Sequence, residues 1–217
     1  MKTIIILFTF LLIALNANAQ KFMLQAGING SGWIEKTDNY ENDDLVYIPR
    51  FHAGVLVDFQ MKEHLDMQTG LVFTNRGYRY KLEIPDSSYR YLETTNIYYL
   101  DIPLLFKLHT EVGNAKLFAV AGGYVGFGLK ALYQERLYDN NDFYRSNYFI
   151  EFGEDKNDNL KRTDYGLVGG LGLEFSDRHI IQFSAEFGLA NLSPLDDNGY
   201  MEKNRVFKLS YNFILNP

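Results

Sequence analysis

Residues 98–130 read YYLDIPLLFKLHTEVGNAKLFAVAGGYVGFGLK. Apolar and polar residues alternate on both sides of a short turn at 112–114, so that Leu100 and Ile102 fall on one face and Asp101 on the other. Successive side chains of a β-strand point to opposite faces, and this period of two therefore predicts a hairpin of long strands. Each segment is longer than the roughly ten residues that a tilted strand needs to cross a bilayer.

The same alternation recurs in six further segments, at 21–29, 51–60, 65–74, 164–175, 181–189 and 207–215. The connections are short at Lys62, Gly113 and Asp177, and long and polar around Asp38, Ser87, Asn147 and Asp197. Outer-membrane barrels have short periplasmic turns, long outer loops and an even strand number. The sequence therefore predicts an all-β fold, an eight-stranded antiparallel up-and-down transmembrane β-barrel.

The amino terminus has the features of an export signal. Lys2 supplies a positive charge, residues 4–15 are apolar, and a small-x-small cleavage site ends at Ala19. The apolar run is shorter than the roughly 20 residues of a membrane-spanning helix. We expect residues 1–19 to be a signal peptide cleaved near Ala19, and residues 20–217 to form one outer-membrane β-barrel domain.

Composition excludes several classes of function. The chain has no cysteine, which rules out a thioether lipid anchor, a disulfide and a thiolate metal site. Its net charge of -6 argues against a nucleic-acid partner. The aromatic content of 16% suits a surface that meets lipid and its interfaces. We expect no cofactor and no metal, and we expect contact with outer-membrane lipid and lipopolysaccharide.

The polar faces of the strands carry charges of both signs. Mixed charges pack well as a hydrogen-bonded plug inside a narrow barrel, which predicts a structural interior network. Its predicted members are Asp58, Asp66, Asp101, Lys107, Lys130, Asp164, Glu174, Glu186 and Lys208. The alternative is a soluble periplasmic ligand-binding barrel, which would place these charges outside and its apolar faces inside.

Glycines and one proline interrupt the polar faces. Inward glycines are expected to make room for long side chains from the opposite wall, at Gly122, Gly126, Gly128, Gly166, Gly170 and Gly172. Pro103 lies within a strand that should be paired on both sides. Because proline lacks a backbone donor, a β-bulge is predicted there.

Three stretches resemble the PorT-like outer-membrane β-barrel family of Bacteroidota: YLDIPLLFKL at 99–108, KLFAVAGGYVGFGL at 116–129 and FSAEFGLANL at 183–192. The most specific part is the motif Asp101, Ile102, Pro103 and Leu104. The resemblance implies an eight-stranded barrel without catalytic residues. Most members of this family have no assigned activity, and its founding member is similar to an accessory of protein secretion. The resemblance therefore implies a non-catalytic role.

No catalytic arrangement is evident from the sequence. A lipid-modifying barrel needs a nucleophile and a base near the lipid head groups, and none of the four histidines is predicted to lie beside a serine on the lipid face. The prediction is a non-enzymatic barrel with a structural or interaction role, and a possible partner in the envelope or the secretion machinery. Alternatives are a lipid-modifying outer-membrane enzyme and a narrow channel.

The predicted outer loops are rich in tyrosine. Such side chains suit either recognition of a partner or packing against lipopolysaccharide, and both readings stay open. The tyrosines in question are Tyr40, Tyr89, Tyr91, Tyr138, Tyr144 and Tyr148.

Overall fold

The computed structural model describes residues 20–37, 40–42, 46–83, 89–139, 142–155, 158–195 and 200–216. The predicted signal peptide, residues 1–19, lies outside this part of the chain. The described residues form ten β-strands: β1 Gln20–Thr37, β2 Tyr40–Asn42, β3 Ile48–Lys62, β4 Leu65–Glu83, β5 Arg90–Val112, β6 Ala115–Asp139, β7 Asp142–Ile150, β8 Thr163–Phe175, β9 His179–Gly188 and β10 Met201–Ile214. No helix in these ranges is long and apolar enough to cross a membrane.

Eight of the strands form a closed antiparallel ring. Their order is β10-β9-β8-β6-β5-β4-β3-β1, and pairing of β10 with β1 closes it. The two remaining strands lie outside the ring, with β2 paired to the end of β1 and β7 paired to the end of β6. The prediction of an eight-stranded antiparallel barrel is confirmed.

The barrel has an apolar exterior and a polar interior. Outward side chains such as Ile28, Leu108 and Leu171 are 60% or more exposed, whereas polar side chains such as Arg76 and Asp164 are fully buried. A protein surrounded by water would bury its leucines, because each apolar side chain loses roughly 1.5–3 kcal/mol when it stays exposed. The exposed wall is therefore the lipid-facing surface of a membrane barrel, and the soluble alternative is wrong.

The two ends of the barrel differ. Tight turns join β3 to β4, β5 to β6 and β8 to β9, and Gly113 in the middle turn takes a φ of 62° that favours glycine. At the other end β4, β5 and β6 continue past the ring, and β6 reaches 25 residues. Since short turns face the periplasm in such barrels, the long strand extensions lie outside the cell.

The bulge predicted at Pro103 is absent. The ladder between β4 and β5 keeps one register on both sides of the proline, with Thr69 opposite Leu104 and Val72 opposite Asp101. The ladder is only interrupted where Pro103 lacks a donor, and the Thr69 hydroxyl donates to the Pro103 carbonyl at 2.7 Å. The hydroxyl satisfies the Pro103 carbonyl, and the ladder resumes without a register shift.

A bulge instead lies between β5 and β6 and corrects the assignment of Lys130. Tyr98 pairs with Lys130 and Tyr99 with Gly128, which leaves Leu129 as the extra residue. An extra residue reverses the alternation beyond it, so Lys130 points outward and is exposed. Its ammonium lies 4.5 Å from the centre of the Phe149 ring. The prediction that Lys130 belongs to the interior network is wrong.

Candidate functional site

The interior is centred on Arg76, which projects from β4 and has no exposed surface. Its Nη2 donates to Asp101 at 2.8 Å and to Glu186 at 3.0 Å, and its Nη1 donates to Asp164 at 3.1 Å. These carboxylates belong to β5, β9 and β8. One guanidinium therefore joins four strands of the ring by charge-assisted hydrogen bonds.

The surroundings of Arg76 complete this cluster. Its guanidinium carbon lies 4.9 Å from the centre of the Tyr99 ring and 4.7 Å from the centre of the Tyr124 ring. Both distances suit an attractive cation–π interaction. Asp164 accepts further hydrogen bonds from Tyr124 at 3.0 Å and Asn204 at 2.8 Å. A second cation, Lys208, pairs with Glu186 and lies 3.8 Å from Asp101.

A second cluster lies toward the periplasmic end. The Lys107 ammonium donates to Asp58 at 2.8 Å and lies 3.8 Å from Glu174. Gln68 also donates to Asp58, at 2.7 Å, and Lys21 pairs with Glu174 at 2.8 Å. The three contacts made by the lysines join strands that are not neighbours in the ring.

Eight of the nine predicted network residues are buried inside the barrel. The structure divides them into the Arg76 cluster, with Asp101, Asp164, Glu186 and Lys208, and the Lys107 cluster, with Asp58, Asp66 and Glu174. Asp66 lies at the edge of the second cluster, 3.5 Å from His109. The sequence analysis missed Arg76, although it continues the polar face of β4 from Asp66 by steps of two.

The space between the two clusters is filled. An apolar layer of inward side chains contains Met23, Leu56, Val72, Leu105, Phe118, Val120, Tyr124, Val168, Ile180 and Ile214. The cavity that remains in this part of the bore is about 30 Å³, the space of a single water molecule. Among the described residues, the bore thus has no passage for a solute.

Two inward glycines provide the space predicted for long side chains. A Cβ at Gly126 would lie 2.5 Å from the Asp101 carboxylate and 3.2 Å from Arg76, and a Cβ at Gly172 would collide with the Phe118 ring. Others, such as Gly122, abut the backbone of the neighbouring strand. The glycines therefore allow close packing of the clusters and of the strands.

His52 forms a chain of hydrogen bonds with Ser210 and Asn29. Asn29 Nδ2 donates to the Asn75 carbonyl, which leaves Asn29 Oδ1 facing His52 Nδ1 at 3.2 Å. The other ring nitrogen, His52 Nε2, lies 2.8 Å from Ser210 Oγ. The order of groups matches that of a hydrolase triad. All three side chains are at most 2% exposed, however, and Ser210 Oγ is out of reach of a lipid ester. The sequence analysis missed the contact between His52 and Ser210 because the two residues are 158 positions apart and meet only when the ring closes.

Cavities lie at both ends of the bore. The periplasmic one is open and about 700 Å³ in volume, with Lys21, His64, Asp66, His109 and Glu174 in its wall. The extracellular one is about 170 Å³, and four aromatic side chains are among the residues that line it. Within the described ranges, no group of three or more His, Asp or Glu residues is placed to hold a metal ion.

Glu202, at the extracellular end, makes stability depend on pH. Burial and nearby Glu35 and Glu93 raise its pKa to about 7, against the hydrogen bond from Tyr200. A carboxyl with a raised pKa stabilises the fold while protonated, and this contribution is lost as pH rises through about 7.

We expect the urea midpoint of the refolded barrel to be higher at pH 5 than at pH 8, and Glu202→Gln to reduce this difference. An undiminished difference in Glu202→Gln, or an equal reduction in the exposed control Glu111→Gln, would contradict this assignment.

Three solved structures are similar to the chain at low sequence identity. Ail, the attachment invasion locus protein of Yersinia pestis, is 14% identical with a TM-score of 0.38, over 91% of this chain and 99% of Ail. The outer membrane protein OprG of Pseudomonas aeruginosa is 10% identical with a TM-score of 0.46, over 93% and 98%. The outer membrane protease OmpT of Escherichia coli is 9% identical with a TM-score of 0.45, over 92% and 98%.

No curated protein sequence matches the chain significantly. The sequence profile of the family described as "Outer membrane protein beta-barrel domain" matches residues 15–193. This match covers most of the chain and agrees with the closed ring, its apolar exterior and its charged interior. The chain belongs to the outer membrane protein beta-barrel domain family.

Proposed function

We propose that this outer-membrane barrel is non-enzymatic and acts as an interaction protein at the cell surface. The apolar wall anchors it in lipid, the Arg76 and Lys107 clusters brace the ring, and the strand extensions carry the contact surface. Its partner is a protein of the envelope or of the secretion machinery, as the resemblance to the PorT-like family also suggests.

The observation that carries this proposal is the exposed edge strand β7. It extends the sheet of β4, β5 and β6 beyond the ring, and residues 142–149 are exposed on both faces. Three of its aromatic side chains, Phe143, Tyr144 and Phe149, are 54%, 62% and 63% exposed. Clustered exposed aromatics mark interaction surfaces, and a free strand edge offers unpaired backbone groups to a partner.

Two features of the interior favour binding over transport or catalysis. The bore between the clusters leaves about 30 Å³, which supports a closed barrel rather than a channel. The His52 and Ser210 side chains are buried at 1% and 2% exposure, which supports a bracing role for their hydrogen bond. Neither feature accounts for the aromatic edge of β7, and that edge is where the proposed function resides.

The test compares a triple variant and a double variant of β7 in cells. Because buried aromatic anchors carry much of an interface's energy, Phe143→Ser with Tyr144→Ser and Phe149→Ser is expected to reduce capture of crosslinked partners about tenfold or more. The matched control, Arg145→Ser with Asn147→Ser, changes exposed polar residues of the same strand and should keep capture. A gel shift on boiling verifies that each barrel is folded.

An unchanged set of partners in the aromatic variant would overturn the proposal. The exposed rings would then pack against lipopolysaccharide, which is the alternative that the sequence left open. Partners lost equally in both variants would point to a general disturbance of the strand and would also contradict a specific aromatic contact.

A further inference from the structure

The extracellular cavity has aromatic walls and an acidic rim. Trp33, Tyr78, Tyr133 and Tyr148 line it, and its volume of about 170 Å³ has room for about five or six water-sized groups. Tyr133 and Tyr148 are stacked with ring centres 4.7 Å apart, and Trp33 lies 5.3 Å from Tyr78. The four rings therefore lie around one cavity that is open on one side.

Glu202 lines this cavity, and it belongs to one of two cross-strand glutamate pairs at the same end of the barrel. Glu35 is directly opposite Glu202 between β1 and β10, and Glu93 is directly opposite Glu135 between β5 and β6. Like charges in cross-strand positions are destabilising. Within the described part of the chain, no Lys, Arg or His forms an ion pair with Glu93, Glu135 or Glu202. Glu93, Glu135 and Glu202 thus concentrate carboxyl groups at the extracellular mouth.

Hydrogen bonding around the cavity is also incomplete. The Tyr200 hydroxyl contacts Glu35 at 2.9 Å and Glu202 at 2.7 Å, although it has only one proton to donate. The Thr95 hydroxyl also lines the cavity and lies beside the hydroxyl of Tyr78.

We propose that the extracellular cavity binds a small organic ammonium ion. The faces of Trp33, Tyr78, Tyr133 and Tyr148 attract the cation through their ring quadrupoles, and Glu202 with Glu93 supplies the opposite charge. A divalent metal ion fits less well, because metal ions of this kind require several oxygen ligands converging on one point. Tyr148 of β7 lines the site, but Phe143, Tyr144 and Phe149 do not, so separate variants test this proposal and the proposed function independently.

Trp33 makes the site directly observable, because it is the single tryptophan of the chain and lies in the cavity wall. The full mature barrel, refolded in a detergent that contains no ammonium group, is titrated with choline at pH 8, above the pKa of about 7 of Glu202, so that this carboxyl group is ionised. The matched neutral probe is 3,3-dimethyl-1-butanol, in which carbon replaces the nitrogen. We expect a saturable change in Trp33 fluorescence with choline, and binding at least tenfold weaker with the neutral alcohol.

Two variants test the two parts of the site. Glu202→Gln removes the charge and Tyr133→Leu removes one aromatic face, and each is expected to weaken choline binding about tenfold, whereas the β7 triple variant should bind as the unchanged protein does. No saturable response to choline, an equal response to the neutral alcohol, or full binding in both variants would overturn the proposal. If Glu202→Gln fails to show the heat-shifted band of a folded barrel, Tyr133→Leu and the neutral probe decide the question.

Discussion

Replacement of Arg76 by methionine is expected to lower the free energy of unfolding by about 3–5 kcal/mol, the usual cost of breaking a buried ion pair. Methionine fills much of the same space but leaves Asp101, Asp164 and Glu186 buried without their shared cation. The measurement is urea unfolding of the refolded barrel in vesicles, followed by Trp33 fluorescence and by the heat-shifted band. Arg79→Met, on the same strand but exposed, is the control and should change stability by less than about 0.5 kcal/mol.

A compensating variant distinguishes unpaired charge from lost packing. Arg76→Met combined with Asp101→Asn and Asp164→Asn removes the uncompensated charge while keeping similar volumes, and much of the lost stability should return. A loss below about 1 kcal/mol in Arg76→Met would mean that the guanidinium does not brace the ring. A full loss without any recovery in the combined variant would assign the effect to shape rather than to charge.

Replacement of Lys107 by methionine is expected to have the next largest effect, about 3 kcal/mol. Asp58 would keep only the hydrogen bond from Gln68, whereas Glu174 would still pair with Lys21. Fewer carboxylates are left without a cation than in Arg76→Met, and the loss of stability should therefore be smaller. The same urea titration measures it, with the exposed Lys62→Met as control.

The double variant Lys107→Met with Asp58→Asn tests the assigned partner. Residues that share an ion pair show non-additive effects, so the double variant should be more stable than Lys107→Met alone. Strict additivity of the two substitutions would show that Asp58 is not the group that Lys107 neutralises.

Much of the fold could be predicted because strand alternation is a local property. The pleat sends neighbouring side chains to opposite faces, so counting by twos in Leu100 to Leu108 already separates the lipid-facing side from the interior. The number of such segments and the alternation of short and long connections then predict the closed barrel. Eight of the nine predicted interior charges follow from the same rule.

The failures have one cause, which is that register and closure are not local. The extra residue Leu129 reverses the alternation, so that Lys130 points outward. The sequence of β6 itself does not indicate where this shift occurs. At Pro103 the ladder resumes in the same register, and the Pro103 carbonyl accepts a hydrogen bond from the hydroxyl of Thr69, 34 positions away.

The sequence alone was enough to establish a membrane barrel with an apolar wall and a charged bore, since each residue's side of the wall depends on its immediate neighbours. Contacts across the bore depend instead on which strands meet. The three carboxylates around Arg76, the Ser210 contact of His52 and the opposed glutamates around the extracellular cavity exist only because β10 closes on β1 and the strands pair in one register. These contacts carry the stability and the proposed ammonium site, and they arise from long-range pairing that the linear pattern does not contain.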